Sequence, residues 1–483
     1  MAFTRTIWQD SPSTSTPITA AQLQRMEDGI RAGLPFFDVR DYGAALDDTT
    51  NDAARLQAAL DAAAGAGGGT VLVPGRCYLG STTVTQPGNT LIRGVGRDGS
   101  WLRKATGSTG IMLDCSGTGT GFANHKHSSG LQDITLKGGG PSSSGALLRL
   151  YYNDNYQCRG VKWIDHPDRG IDAVELWDSY FLHCTWESVG GYGATPQRPS
   201  VHIRSASAAS GFGSGTDNSN MIWFSQCRFE GFADGALWVE AGSNANNPNG
   251  IYLDQIKFET HTTRGKVLWF DDYCMSVAGS RLEFYVGAYD AGYSTPVSVV
   301  LCAASQAVSF RDIRFVTGEA PTTDKLMELW CSAGPLTVDG VQHTSTGTPA
   351  NNPATGVVWL GGTGRSRITN VTSADGATLV AGTNPHIRTM TYAATLAPVV
   401  TSSDLTLRVT LTGNTTVSAP TQGQAGDRLT FAFTQDATGG RTVSWNAAFK
   451  TSWTPTTTAN KVNVITFTYD GTSWVQTSTA TNL

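Results

Sequence analysis

Phe224-Ser-Gln-Cys227-Arg-Phe229 and Leu253-Asp-Gln-Ile256-Lys-Phe258 are two copies of one short apolar signature. Others are Leu131-Gln-Asp-Ile134-Thr-Leu136, Cys158-Arg-Gly-Val161-Lys-Trp163, Phe181-Leu-His-Cys184-Thr-Trp186 and Phe310-Arg-Asp-Ile313-Arg-Phe315. Weaker copies centre on Ser280, Val341 and Val371. The steps between successive centres, from Ile134 to Val371, are 27, 23, 43, 29, 24, 33, 28 and 30 residues. A unit that returns about every thirty residues buries its apolar face only against its neighbours, which is the signature of a solenoid.

Each copy reads as a strand with one buried face, because apolar and polar residues alternate between Gly, Asn, Asp or Ser breaks. A second strand family keeps step with the first: Val174-Glu-Leu176-Trp177, Val201-His-Ile203, Leu237-Trp238-Val239-Glu240, Val267-Leu268-Trp269-Phe270, Val299-Val-Leu301, Glu328-Leu329-Trp330 and Val358-Trp359-Leu360. No helical period separates the families. The expected fold is all-β, a right-handed parallel β-helix whose coils stack at about 4.8 Å.

Composition narrows the function classes. The chain has 483 residues, 55 of them Gly, with 15% charged and a formal net charge of −5. Nucleic-acid binding wants clustered Lys and Arg against phosphate, so no nucleic acid is expected as a partner. The eight cysteines (Cys77, Cys115, Cys158, Cys184, Cys227, Cys274, Cys302 and Cys331) show neither a CxxC pair nor a dense framework and read as small core residues. Cys184 and Cys227 share a repeat position, which permits a disulfide without requiring one. Met1-Ala-Phe-Thr-Arg-Thr-Ile-Trp-Gln-Asp10 has no apolar h-region, and no run of 18 apolar residues occurs, so neither a signal peptide nor a membrane span is expected.

Three segments follow. In residues 1–35, Thr19 is placed to cap a helix whose Leu23, Met26, Ile30 and Leu34 share one face. So short a helix must bundle with copies of itself, dock on a partner, or fold back on the solenoid. Residues 36–391 form the β-helix, with a capping segment over 36–84. Within it, Ala53 to Ala64 reads as a helix, and Asp47, Asp48 and Asp52 before it suit either a hard cation or the helix N-terminus, with the second reading favoured. Residues 392–483 alternate strictly in Leu405 to Leu411, Arg428 to Phe433 and Val462 to Tyr469, with turns at Thr412-Gly-Asn414 and Asp470-Gly471. This predicts a C-terminal antiparallel β-sandwich.

The order Asp41-Tyr-Gly-Ala44, acidic cluster, Gln57-Ala-Ala-Leu60, Gly68-Gly-Thr-Val-Leu-Val-Pro-Gly75, Tyr78 and Leu91-Ile-Arg-Gly-Val-Gly96 resembles the N-terminal signature of the pectate-lyase-like superfamily, found in pectinases and bacteriophage tailspikes. The likeness is close over about residues 36–100 and continues beyond only as a period. In that family the helix caps the open end of the β-helix. Gly413-Asn-Thr-Thr416, Gln435 to Asn446 and Phe467 to Trp474 are similar to C-terminal modules of phage tail proteins, and Trp8-Gln-Asp10 with Thr16 to Ile30 resembles the start of tail proteins from phages of Gram-positive hosts. The resemblance implies a virion protein: a homotrimeric tailspike attached to other tail or baseplate proteins through residues 1–35. Its partner would be a host cell-wall or capsular polysaccharide.

Two rows carry the candidate chemistry. Leu176, Leu237, Leu268, Leu329 and Val358 fall inward in the second strand family, which sends Trp177, Trp238, Trp269, Trp330 and Trp359 outward, with Ile203 and Val299 marking coils without a Trp. Such indoles stack on sugars, bury in a subunit interface, or fill the core if the two faces are reversed. Following the aromatic of the first family come Glu187, Glu230, Glu259 and Glu283. Like charges about 5 Å apart repel by about 3 kcal/mol at an effective dielectric near 20, so a carboxylate line wants a reason. Glycoside hydrolysis by an acid and a base or nucleophile supplies one; pairing with Arg228, Lys257, Arg281 and Arg314 is the other. Glu240, Asp271 and Asp272, beside the Trp row, form a rival acidic set. His166, His183, His202 and His261 are isolated, so no metal is expected. No cofactor motif occurs, and the calcium and arginine set of pectate-lyase chemistry finds no match. The sequence leaves open whether the glycan is cleaved or only bound. It equally allows a structural or adhesive protein, or a free polysaccharide-degrading enzyme.

Overall fold

In a computed structural model of the chain, the structure describes residues 36–191, 198–205, 218–232, 235–241, 247–263, 266–271, 273–289, 297–303, 307–317, 325–331, 336–345, 356–360, 367–374, 380–382 and 386–483. The helix expected within residues 1–35 lies outside them, as does Asp272.

The expected parallel β-helix is present. Thirty strands join in one continuous parallel ladder, each pairing with its counterpart one coil away. Three strand columns run the length of the rod. The first passes through Gly130–Gln132 and Gln157–Arg159, the second through Thr135–Lys137 and Lys162–His166, and the third through Val201–Arg204, Leu237–Glu240 and Leu268–Phe270.

Each signature turns a corner: in the lower coils it divides into two strands there, and in Asn249–Thr263, Met275–Tyr289 and Val308–Thr317 one continuous strand bends at the same place. The apolar spacing i, i+3, i+5 breaks strict alternation, and the break falls on a residue in the left-handed region: Asp133 (φ 50°), His183 (53°), Gln226 (54°), Gln255 (54°), Arg281 (53°), Asp312 (54°) and Asn370 (56°), with Gly160 and Gly340 on the intervening coils. This conformation is costly for a residue with a Cβ. The ladder offsets that cost, since the His183 amide donates to Ser225 O (3.1 Å) and the Gln226 amide to Asp254 O (2.9 Å). The corner lets Phe224, Cys227 and Phe229 all face inward.

Inside the second column, Trp163, Trp186, Phe229, Phe258, Phe284 and Phe315 are buried and stack coil on coil, with centroids 4.3 to 5.2 Å apart. Cys184 and Cys227 are free thiols in the same interior. Their Sγ atoms donate to the carbonyls of Cys158 (3.6 Å) and Phe181 (3.3 Å), and burial pushes the Cys184 thiol well up.

The helix Ala53–Gly65 closes the first coil by burying Ala53, Leu56, Ala59, Leu60 and Ala63. The acids before it have local duties. Asp47 accepts from the Thr49 and Thr50 amides, Asp48 pairs with Arg103 and Trp101, and Asp52 accepts from the amides of Ala45 (2.8 Å) and Leu46 (2.9 Å). Asp52 stands at the N-cap without bonding the helix; Asn51 instead accepts from the Ala53 amide.

The C-terminal module has two β layers around a core of its own, including Leu405, Leu407, Phe431, Phe433 and Phe467. It is mixed rather than antiparallel. Ile387–Thr389, Asp404–Leu411 and Arg428–Gln435 pair in parallel, as do Thr395–Leu396, Thr415–Val417 and Val443–Trp445. Antiparallel pairing enters only with Val462–Tyr469 and Trp474–Ala480. Alternation reports which face is buried and is blind to strand direction. Here the chain between long strands crosses to the second layer and returns parallel. Among the described residues no helix is long and apolar enough to cross a membrane.

Candidate functional site

The outer side of the corner is a groove of about 990 Å³ running up successive coils. Its floor is the left-handed column His183, Gln226, Gln255, Arg281 and Asp312, and beside it the column Arg228, Lys257, Glu283, Arg314 and Gln342. The Gln226 side-chain Nε2 donates to Gln255 Oε1 (3.2 Å), one coil to the next.

One margin of the groove carries the glutamate row. Glu187, Glu230 and Glu259 are in register on adjacent coils. Glu283 is not with them: its partner is Lys257, while Tyr285 continues the row from Glu259. The weak copy is centred on Leu282, in line with Ile256 and Ile313, rather than on Ser280. A slip of two residues keeps every side chain on its face, so the in/out pattern could not reveal it. Each glutamate of the row has its own cation: Lys162 Nζ lies 2.7 Å from Glu187, Arg228 pairs with Glu230, and Lys257 with Glu259. The repulsion expected of stacked carboxylates is met by an adjacent basic column.

The Trp row is real for four of its five members. Trp238 and Trp269 are in register, and backbone pairing carries the same position through Leu301 and Trp330 to Trp359. At that register position the coils without a Trp have His202 and Leu301, rather than Ile203 and Val299. Trp177 stands apart. The counterpart of Trp238 two coils down is Asp172, and Trp177 pairs with Asp154 and Asn220. The faces of Trp238 and Trp269 are taken up by neighbours. Trp238 is covered on one face by His202 (4.5 Å, 13°) and on the other by Trp269 (4.1 Å, 2°), whose far face lies 3.5 Å from Lys266 Nζ.

The acids beside this row serve it. Glu240 Oε2 lies 2.7 Å from His202 Nε2, and Asp271 accepts from Trp238 Nε1 at 3.4 Å. Burial drives the His202 imidazole below its usual range, against the pull of Glu240. On Glu240 burial acts to raise the carboxyl, but His202 and Arg204 hold it below its usual value.

Two features escaped the sequence reading. Tyr180, Trp223 and Tyr252 occupy one outward column on the other margin of the groove, each just before the first apolar residue of its signature. Tyr180 is 43% exposed and stacks on Trp223 at 4.5 Å and 4°, while Tyr252 follows at 5.4 Å and 19°. The pairs Tyr180-Phe181, Trp223-Phe224 and Tyr252-Leu253 were the available signal. Secondly, His125 and His127 each take a carboxylate: His125 Nε2 is 3.0 Å from buried Glu175, and His127 Nδ1 is 2.6 Å from Asp154. Trp177 belongs to this cluster, its ring 3.9 Å from that of His125. No group of three or more His, Cys, Asp or Glu among the described residues is arranged to hold a metal.

Comparison with known proteins fits this architecture. Residues 36–130 match the family model of rhamnogalacturonase A/epimerase, pectate-lyase-like, and residues 396–474 match that of a phage tail fibre C-terminal domain. The chain thus joins a pectate-lyase-like N-terminal segment to a C-terminal segment similar to a phage tail fibre domain. Mannuronan C5-epimerase AlgE4 of Azotobacter vinelandii is 36% identical over 177 residues, which are 35% of this chain and 29% of the epimerase, so the chain spans under a third of that relative. Among solved structures, the Streptococcus pneumoniae surface adhesin PfbA superposes with a TM-score of 0.53 at 13% identity, covering 71% of this chain and 99% of the adhesin; this likeness is one of fold. The tailspike of Escherichia coli bacteriophage HK620, solved with a pentasaccharide, covers 88% of this chain and 84% of its own at a TM-score of 0.43 and 12% identity.

Proposed function

We propose that this protein is a phage tail protein, a receptor-binding tailspike that holds a host cell-wall or capsular polysaccharide in the corner groove. The observation that carries the reading is the groove itself: an open channel of about 990 Å³, polar along its floor, with the stacked Tyr180, Trp223 and Tyr252 each three residues before the corner residues His183, Gln226 and Gln255. Amides, guanidiniums and carboxylates at regular coil spacing suit the repeating hydroxyls of a glycan, and aromatic rings suit its apolar patches. The same reading takes the tailspike as a homotrimer joined to other tail proteins through residues 1–35.

The test is retention of the full chain on envelope polysaccharide from candidate hosts. Replacing Gln255 and Arg314 by Ala together, both exposed and on the groove floor, is expected to weaken retention tenfold or more with the melting temperature unchanged. Equal retention by the variant would remove the groove from recognition.

A hydrolytic reading has one observation in its favour, the register of Glu187, Glu230 and Glu259 at coil spacing. It predicts release of reducing ends from the bound glycan, lost in Glu230→Gln or Glu259→Gln with binding kept. Because each of these acids is already paired with a cation, binding without cleavage is the favoured form.

A further inference from the structure

The aromatic column beside the groove stops abruptly. Going up the rod, its register reads Gln157, Tyr180, Trp223, Tyr252, Ala278, Ser309. Trp223 is enclosed by the rings on either side of it. Among the described residues Tyr252 has a ring on one face only, and on the coil above it the side chain falls from an aromatic to the methyl of Ala278 and then to Ser309. Coils lie about 4.8 Å apart, so losing a ring at Ala278 and again at Ser309 leaves a step one to two rings deep. The outer part of the Tyr252 ring forms its tread.

Polar groups border the step on the groove side. Asp254 lies two residues along the strand from Tyr252, on the same outward face, and on the coil above it are Ser280 and Arg281. Ser280 Oγ donates to Asp254 Oδ1 at 2.5 Å, and Arg281 pairs with the same carboxylate. This fixes the acceptor oxygens beside the tread and spends the guanidinium charge locally. Burial acts to raise the Asp254 carboxyl, but Arg281 and Ser280 outweigh it and hold the group ionised.

We propose that this step is a sugar subsite: a pyranose ring lies flat on the free face of Tyr252, in the space over Ala278 and Ser309, with its hydroxyls turned to Asp254, Ser280 and Arg281. A flat apolar ring beside a fixed hydroxyl acceptor is the combination a pyranose needs, C–H groups on one face and hydroxyls at the rim. With Arg281 paired to Asp254, and Arg311 on the coil above Ser280 next to Asp339 of the following coil, the subsite selects a neutral sugar over a uronate. The inference rests on the glycan reading above and names the residue class it would place at this point of the groove.

The experiment uses the full chain with methyl glycosides of glucose, galactose, mannose and N-acetylglucosamine as neutral probes, and methyl glucuronide as the charged one. Saturation-transfer NMR follows binding, and retention on envelope polysaccharide is measured in parallel. Ala278→Trp continues the stack over Tyr252 and fills the step while keeping an outward position. Tyr252→Ala removes the tread and Tyr252→Phe keeps it. Expected are binding of at least one neutral glycoside, its loss by tenfold or more in Ala278→Trp and Tyr252→Ala, its survival in Tyr252→Phe, and weaker binding of the glucuronide. Neutral glycosides that bind Ala278→Trp as well as they bind the parent, or none that binds the parent, would overturn the subsite. Envelope polysaccharide retained in either case leaves the groove reading standing, and a parent chain that retains none refutes that reading separately.

Discussion

The indoles of Trp238 and Trp269 are parallel to within 2° at 4.1 Å, closer than the mean spacing of the coils that carry them. Stacking in register turns ring planes across the rod, so each indole offers solvent an edge and gives its faces to its neighbours. An outward aromatic column is thus a structural ladder along its length and a sugar surface only where it ends.

Trp269→Ala is accordingly expected to act on stability. It removes the ring beneath Lys266 and uncovers Trp238, at a cost of about 2 kcal/mol, while glycan retention stays at the parent level. Denaturant midpoints and retention, measured on the same preparation, check both halves. A folded Trp269→Ala chain that no longer holds glycan would return sugar contact to this column.

The corner residues make an opposite pair of substitutions informative. Gln255 sits at φ 54°, where a β-branched side chain is strained, so Gln255→Val is expected to cost about 1–2 kcal/mol. Gln255→Gly relieves that strain, loses the amide contact with Gln226, and should lie within about 1 kcal/mol of the parent. Thermal unfolding of the two variants reads the difference. Equal destabilisation by both would mean that the side-chain ladder, and not the backbone, governs the corner.

The same corner shows what could be read in advance. Burial phase was legible, because Phe229, Phe258 and Phe315 had to face inward whatever the coil shape, and with it came the fold and the capping helix. Register along the rod was legible only in part. Glu187, Glu230 and Glu259 align as the repeat predicts, but Glu283 lies two residues short of that row, since a two-residue slip costs the pattern nothing. Trp177 was aligned with Trp238 because the extra left-handed bend at Glu175 (φ 53°) leaves no mark in hydropathy. Tyr180, Trp223 and Tyr252 were passed over because one outward aromatic per coil is unremarkable in sequence until stacking brings the three together. Strand direction in the C-terminal module was hidden for the same reason as register: alternation carries no sign.

The interior thiols should be inert in the native chain. Cys158 and Cys184 are fully buried, and burial raises both well above the ordinary thiol range. Reducing agent is expected to leave the melting temperature unchanged, and a thiol-specific dye should label Cys184 only on unfolding. A drop in melting temperature on reduction would point to a Cys184–Cys227 bond that the free thiols of this structure lack.

His166 gives the protein an acid-sensitive point at the end of the strand Lys162–His166. Its Nε2 donates to the Gly145 carbonyl at 2.7 Å, and burial drives its pKa down to about 4, with Lys104 and Arg198 also opposing protonation and Asp168 favouring it. The unfolded chain takes up this proton near pH 6.5, the folded chain only near 4. Between those values the unfolded state binds more protons, so stability is full above about pH 6.5 and declines as the pH falls, by about 3 kcal/mol from this group. His166→Gln retains a donor for Gly145 and cannot titrate. The stability gap between parent and variant, taken from urea unfolding at several pH values from 7 to 4, should therefore shift against the parent by that amount. A gap that stays constant over the range would show that His166 is already charged, or already exposed, in the folded chain.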